Sequence, residues 1–297
     1  MENIATVPAK TIISKVKKPA EWFGAEYNMN IYRGCSHGCI YCDSRSDCYR
    51  NTDFDNVKLK ENALQIIRNE LRRKVTSGVI ATGSMSDPYN PLEEKLNITR
   101  SALELINASG FGVAVTTKSS LVTRDVDVLS DIKTHSPVVI KLSITTADDE
   151  LCKKVEPNVS ASSERFGALN TLSENGIFCG ALMMPILPML GDNEDNIITI
   201  VRRAKEAGAK FVLASMGMTL RTGNREYYYD KLDKFSPGLK EEYIKTYGNS
   251  YVCTSKKAKK LWAIFTKECE KLGLLYEMKA IISHYKAGYG ASQLKLF

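Results

Sequence analysis

The sequence predicts an α/β fold, a partial (β/α)6 barrel of the TIM type with a C-terminal helical extension. Three observations predict it. Apolar runs of strand length alternate with amphipathic helical segments, the helix-to-strand joins are short, and polar side chains collect where the strands end. Such alternation implies parallel strands joined by right-handed crossovers, which doubly wound sheets and barrels both satisfy. The third observation favours the barrel, whose sites form at the C-terminal ends of its strands.

Residues 1–26 read as an irregular lead-in, and YNMNIYRGC then reads as a short strand entering a Cys/Gly loop. Over 61–74, Leu64, Ile67 and Leu71 recur at helical spacing, and Gly78 breaks that helix before the apolar strand VIATG. The alternation continues through a helix over 99–108, the strand FGVAVTTK, a helix over 125–133 and the strand PVVIKLSITT. A helix over 163–174, the strand GIFCGALMMP, a helix over 193–207 and the strand KFVLASM complete six units, a barrel over 27–220. At the strand ends stand the cysteines after the first, Ser84 and Asp87 after the second, Lys118 after the third and Ser143 after the fourth. From 221 to 290 the rhythm changes to a YYY triplet and helices over 237–247 and 256–272. No flexible linker precedes this stretch, so it is expected to pack on the barrel. Residues 291–297 form a tail.

Apolar residues at 43% and charged residues at 25% match an ordinary globular protein, which excludes disordered and membrane-embedded classes. No apolar run approaches bilayer length, and the opening MENIATVPAKTIISKVKKP carries positive charge without an apolar h-region. The chain is therefore expected in the cytoplasm with no membrane partner. A net charge of +7 is compatible with nucleic acid without demanding it.

Three of the eight cysteines crowd into GCSHGCIYC, where Cys35, Cys39 and Cys42 form C-x3-C-x2-C. With no export signal, this crowding points to a metal or cluster rather than disulfides. A loop of this spacing can wrap three thiolates around one face of a [4Fe-4S] cluster and leave the fourth iron open for a cosubstrate. The alternative is a structural zinc site completed by His37 or Cys48. Zinc sites usually pair two C-x2-C knuckles, and the sequence has no second one. The remaining cysteines, Cys152, Cys179, Cys253 and Cys269, read as buried thiols.

The run NIYRGCSHGCIYC resembles the signature of radical S-adenosylmethionine (SAM) enzymes. With GSMSDPYNPLE, TTKSSLVTRDVDVLS, KLSITT, VEPNVSASSERF and MPILPMLGD, it resembles the spore photoproduct lyase-like (DNA repair photolyase-related) family over residues 25–220. That resemblance implies a [4Fe-4S] cluster, S-adenosyl-L-methionine as cosubstrate, and an electron from a reductant such as flavodoxin or ferredoxin. The cluster would cleave SAM to a 5′-deoxyadenosyl radical, with DNA as the expected substrate in a repair-like, lyase-like reaction. By the same resemblance, Ile40 and Tyr41 would lie against adenine, Lys118 would pair with the SAM carboxylate and Ser143 would hydrogen-bond SAM. Ser86 and Asp87 would lie over the cofactor. Glu156 and Arg165, of the EP…R pattern, would either orient the ribose or form a structural ion pair.

One departure stands out. True photoproduct lyase has a hydrogen-donor cysteine two residues before the serine matching Ser86, and here that position is Ser84. Tyr89, or one of Tyr227, Tyr228 and Tyr229, would have to donate instead, although a tyrosine cluster is more often packing. Other readings are a radical SAM enzyme acting on a peptide, tRNA or small metabolite, and a zinc-stabilised nucleic-acid-binding protein without catalysis.

The tail QLKLF resembles the peptide by which bacterial DNA polymerases and repair proteins dock on the sliding clamp. Gln293 would be read with Leu294, Leu296 and Phe297 as apolar anchors, and the alternative is that these side chains fold back on their own domain. Phe297→Ala is expected to abolish clamp binding while cluster and SAM binding persist. Unchanged clamp affinity of the variant, or none in the parent, would remove the DNA-clamp expectation.

Overall fold

A computed structural model describes residues 4–74 and 76–289. The chain opens with β1 (Thr6–Val7), β2 (Ile13–Lys15), β3 (Tyr27–Met29), β4 (Tyr32–Arg33) and β5 (Lys58–Lys60). Next come α1 (Ala63–Arg72), β6 (Val79–Thr82), α2 (Glu93–Leu96), α3 (Ile98–Ala108), β7 (Gly112–Thr117), α4 (Val126–Lys133) and β8 (Val138–Ser143). Then follow α5 (Asp149–Val155), α6 (Ser162–Glu174), β9 (Cys179–Met183), α7 (Glu194–Glu206), β10 (Phe211–Ala214) and β11 (Gly217–Thr219). The C-terminal part contains α8 (Asn224–Phe235), α9 (Leu239–Tyr247), β12 (Val252–Thr254), α10 (Ala258–Leu272) and α11 (Met278–Lys286).

The main sheet has the order β10-β9-β8-β7-β6-β3-β2, in which β3 to β10 run parallel and β2 pairs antiparallel with β3. Six parallel strands with β2 and β10 as unjoined edges make the partial barrel. Every residue of β6, β8 and β9 is buried, as expected where helices cover one face and a closed concave face the other. On the convex face Val113, Ile140 and Ala181 pack with Leu103, Leu129 and Leu172 of the helices. On the concave face the pairings Ala81↔Ala114 and Ala114↔Val139 align small side chains.

The N-terminal ends of the strands are closed by the lead-in and α11. Phe23, Phe211, Ile281 and Tyr285 form one buried cluster, and the Tyr285 hydroxyl donates to the Phe23 carbonyl at 2.5 Å. Helix α10 lies on α7, with Leu261, Phe265 and Cys269 in the main core and Arg202 bonded to Glu268 at 2.6 Å. The lead-in is not irregular: β1 pairs with β5 and β2 extends the main sheet. Strands of two or three residues carry no readable alternation and form because a distant partner supplies their hydrogen bonds. The YYY triplet lies within α8, and α11 is a further helix of the 221–290 extension, beyond the two that the sequence predicts there. The QLKLF segment lies outside the described residues. Among the described residues no helix is long and apolar enough to cross a membrane.

Inside the barrel, Lys141 is fully buried, with its Nζ 4.4 Å from the Phe23 ring centroid and 3.3 Å from the Ala114 carbonyl. Burial pushes its ammonium from 10.5 down to about 7. The folded value lies below the unfolded one, so the unfolded chain binds the extra proton between these limits and stability rises with pH through that window. Lys141→Met is therefore expected to exceed the parent in stability at pH 7 by a few kcal/mol, on the order set by the shift. The gap should shrink at pH 9.5, both read by urea unfolding. A gap of equal size at both pH values would contradict this account.

Candidate active site

The cysteine loop leaves β4 through Gly34, whose φ of +82° suits glycine and where a Cβ would sit 2.6 Å from the Phe54 carbonyl. The Cys35 amide donates to that same carbonyl at 2.8 Å. Gly38, with φ +70°, brings the loop close to Pro157, and a Cβ there would meet the Pro157 Cγ at 3.0 Å. The Ile40 amide donates to the Val155 carbonyl at 3.0 Å, and the Asn158 amide to the His37 carbonyl at 3.1 Å. These contacts seat the loop on the segment following α5.

One side chain fixes it further. The Tyr41 hydroxyl donates to the Glu156 carboxylate and lies 2.9 Å from the Thr145 hydroxyl. Glu156 is also paired with Arg165 at 2.5 Å, both side chains fully buried. Arg165 donates further to the carbonyls of Ser143 at 2.6 Å and Ser160 at 2.8 Å, and to the Cys152 sulfur at 3.2 Å. Burial alone would raise the Glu156 carboxyl, but Arg165, Lys118 and the Tyr41 hydrogen bond hold it below its ordinary value. The pair thus joins the cysteine loop to the C-terminal end of β8.

All three loop cysteines are free thiols, Cys39 buried and Cys35 and Cys42 half-buried. Burial, reinforced by Asp87, pushes the Cys35 thiol up to about 12. Burial likewise holds Cys39 well above its ordinary value. Among the described residues no three His, Cys, Asp or Glu side chains converge closely enough to hold one metal ion, as tetrahedral zinc requires. Three thiols on one loop, with no fourth protein ligand beside them among the described residues, are a donor set that would suit a four-iron cluster. His37 turns aside, with Nδ1 3.4 Å from Asp87, and Cys48 is exposed beside Arg221 at 3.3 Å.

A cavity of about 820 Å3 opens over the loop. Tyr41, Cys42, Lys118 and Ser84 line it together with Met184, Met216, Trp22 and Trp262. The Lys118 Nζ lies 5.8 Å from the Tyr41 ring centroid. Burial disfavours its charge, but Cys39 and Glu156 outweigh that cost and raise it above the ordinary lysine value.

The other expected residues stand behind this lining. Asp87 accepts from the Lys118 amide at 2.8 Å, the Thr117 hydroxyl at 2.7 Å and the Tyr89 amide at 2.9 Å, so it organises the strand ends. Ser86 donates to the Gly34 carbonyl, and Ser143 is buried beneath Arg165. Ser84 donates to the Asn28 side chain at 3.2 Å. Tyr89 is 1% exposed and donates to Asp125 at 3.0 Å, and it is not among the cavity residues. Tyr228 bonds the Tyr243 hydroxyl at 2.9 Å within a second core, again away from the lining. Sequence reasoning missed Thr145, Cys152, Met184, Met216 and both tryptophans. Thr145 and Met184 each follow a strand end, a signal that was available; the others have no local signature.

A family model described as the radical SAM superfamily matches residues 29–204. An uncharacterized protein of Mycobacterium tuberculosis is 29% identical, over 81% of this chain and 72% of its own. One from Methanocaldococcus jannaschii is 36% identical over 65% of this chain and 71% of its own. A radical SAM Nalpha-GlyT isomerase of Pseudomonas phage M6 is 23% identical over 54% of this chain and 33% of its own. Among solved structures, spore photoproduct lyase complexed with dinucleoside spore photoproduct superposes with a TM-score of 0.64 at 16% identity, covering 89% of this chain and 78% of that one. A radical S-adenosylmethionine methyltransferase from Kitasatospora setae, with cobalamin and a [4Fe-4S] cluster bound, gives 0.59 at 11% identity, covering 98% and 62%. At such identities these two structures show the shared fold.

Removing one partner of a buried ion pair strands the other charge. Arg165→Met is expected to destabilise the protein by about 3–5 kcal/mol in urea unfolding. A loss under about 1 kcal/mol would show that the pair does not anchor the loop.

Proposed function

The chain belongs to the radical SAM superfamily, whose members use a [4Fe-4S] cluster and S-adenosylmethionine, and from that premise we propose that it cleaves SAM reductively and acts on DNA. Cys35, Cys39 and Cys42 would hold the cluster, leaving one iron for the amino-acid end of SAM. A cluster held there would supply the electron for reductive cleavage of SAM, the source of a 5′-deoxyadenosyl radical that could take a hydrogen atom from the substrate.

The observation that carries this reading is the cysteine loop itself, tied through Tyr41 to the Glu156–Arg165 pair and facing Lys118 across the cavity. Lys118 is the cation suited to the SAM carboxylate. Tyr41 offers its ring to adenine from the lining, whereas Ile40 is buried in the core and outside that lining, and Ser86 and Ser143 stiffen the strand ends around it. Glu156 and Arg165, bonded to each other and fully buried, serve to position the loop rather than to touch the ribose. Asp87 holds the Lys118 backbone in place.

For DNA, the support is the ordered set of photolyase-related motifs, the +7 charge and the fold shared with the photoproduct lyase complex. Ser84, which the motif resemblance matches to the donor cysteine of true photoproduct lyase, lines the cavity, and Cys42, the proposed cluster ligand, is the one cysteine in the lining. A serine O–H bond is too strong to supply a hydrogen atom in place of a thiol. The reaction assigned here therefore extends to hydrogen abstraction and does not include return of a hydrogen by that loop.

Anaerobically reconstituted protein is expected to form 5′-deoxyadenosine from SAM when reduced, and Cys42→Ala to form none. Lys118→Ala should weaken SAM binding about 10- to 100-fold, the loss of one charge-assisted hydrogen bond. Deuterium from labelled DNA should appear in the 5′-deoxyadenosine. No 5′-deoxyadenosine from the parent would remove the enzyme reading, whereas transfer from a labelled peptide or tRNA alone would remove DNA.

A further inference from the structure

The chain has two tryptophans, and both line the mouth of the cavity over the cysteine loop. Trp22 comes from the lead-in and Trp262 from the second turn of α10. Burying an indole is strongly favourable, yet these two remain 38% and 43% exposed. Seven large apolar side chains are exposed among the described residues, and Trp22, Val252 and Trp262 line the cavity. Two more, Tyr49 and Tyr251, lie against Arg221, whose guanidinium carbon is 5.8 and 4.6 Å from their ring centroids. Arg221 in turn bonds Asp43 of the cavity wall at 3.4 Å. Both tryptophans and Val252 thus stand in one lining, with Tyr49 and Tyr251 reached through Arg221 and Asp43.

That opening carries excess positive charge. Lys256, Lys257, Lys259 and Lys260 are all exposed around the start of α10, and Lys259 lines the cavity. Lys260 is paired with Glu194, Lys256 reaches the Thr246 hydroxyl at 3.2 Å and Lys257 the Asp192 carbonyl oxygen at 3.5 Å. Lys259 makes no ion pair among the described residues. The nearby carboxylates are occupied: Asp43 by Arg221 and the Thr219 hydroxyl, Asp192 by the Ser255 hydroxyl and the Met189 amide. Planar apolar faces beside unpaired cations match the two features of one nucleic-acid strand, its bases and its phosphates.

We propose that this mouth binds a single strand of DNA, with an unstacked base against Trp22 and Trp262 and the flanking phosphates on Lys256, Lys257 and Lys259. The inference rests on the DNA reading above and adds the residues that select the substrate's form. A cavity of this size encloses nucleoside-sized groups and not a paired duplex, so a base must leave its stack to approach Cys42.

Because both indoles sit at the mouth, the protein's whole tryptophan emission reports on it. Titrating the anaerobic cluster-loaded protein with a fluorescein-labelled single-stranded oligonucleotide should quench that emission. The single strand should bind at least about tenfold tighter than the same sequence as a duplex. Trp22→Ala and Trp262→Ala should each lower affinity about tenfold, in the range of one lost stacking contact. A combined Lys256→Gln, Lys257→Gln, Lys259→Gln variant should flatten the salt dependence. Ile244→Ala, exposed on α9, serves as a control expected to keep the parent's affinity. Duplex binding as tight as single-strand binding, unaltered affinity in both tryptophan variants, or stronger competition by poly-glutamate or RNA of the same sequence would each overturn the proposal. The same preparation is assayed for 5′-deoxyadenosine. Its formation without oligonucleotide binding would remove this inference alone, and its absence would remove the reading beneath it.

Discussion

The fully buried ion pair between Glu156 and Arg165 is the constraint on which the rest of the site depends. A carboxylate taken out of water is costly unless its lone pairs are filled, and Glu156 meets that demand with Arg165, Tyr41 and Thr145. Arg165 spends its remaining donors on backbone carbonyls at the end of β8 and the start of α6. One charge pair therefore locks three pieces of chain: the cysteine loop, the segment after α5 and a barrel strand. Moving Tyr41 would leave a buried acceptor short of a donor, so the loop has one low-energy seat. The barrel supplies the floor, since β8 can hold Arg165 only because strands on both sides and helices outside keep its end dry.

Charge placement around the loop follows the same logic. Asp87 fixes the backbone of Lys118, so that its ammonium lies over the Tyr41 ring beside the thiols. Burial favours the neutral thiols of Cys35 and Cys39, so cluster loading there would release protons. One end of the barrel is thus polar and open, and the other is sealed by Phe23, Phe211, Ile281 and Tyr285. Lys141 stands between, its charge penalised by that seal. This polarity along the strands is what confines the chemistry to one end.

Much of this was legible in the sequence, for identifiable reasons. The six parallel strands are buried on both faces, so they read as apolar runs without needing their partners. Cys35, Cys39 and Cys42 are local in sequence, and local spacing is what a reader can measure. Asp87, Lys118 and Ser143 stand at or beyond the ends of β6, β7 and β8, and strand ends are legible in the apolar runs that precede them. The partner of Glu156 and Arg165 was not legible: nothing near Tyr41 announces a hydrogen bond across the barrel. Tyr89 sits in a loop that pointed toward the site, yet its hydroxyl is drawn to Asp125 in the core. The short strands β1 and β2 and the gathering of Trp22 with Trp262 arise only when distant segments meet, so no window of sequence contains them.

The central claim is that three thiolates on this tethered loop leave one iron of a cluster open to SAM. Electron paramagnetic resonance of the reduced, anaerobically reconstituted protein tests it most directly. The account predicts a cluster signal that changes when SAM is added; an iron-loaded protein whose spectrum is the same with and without SAM would contradict it.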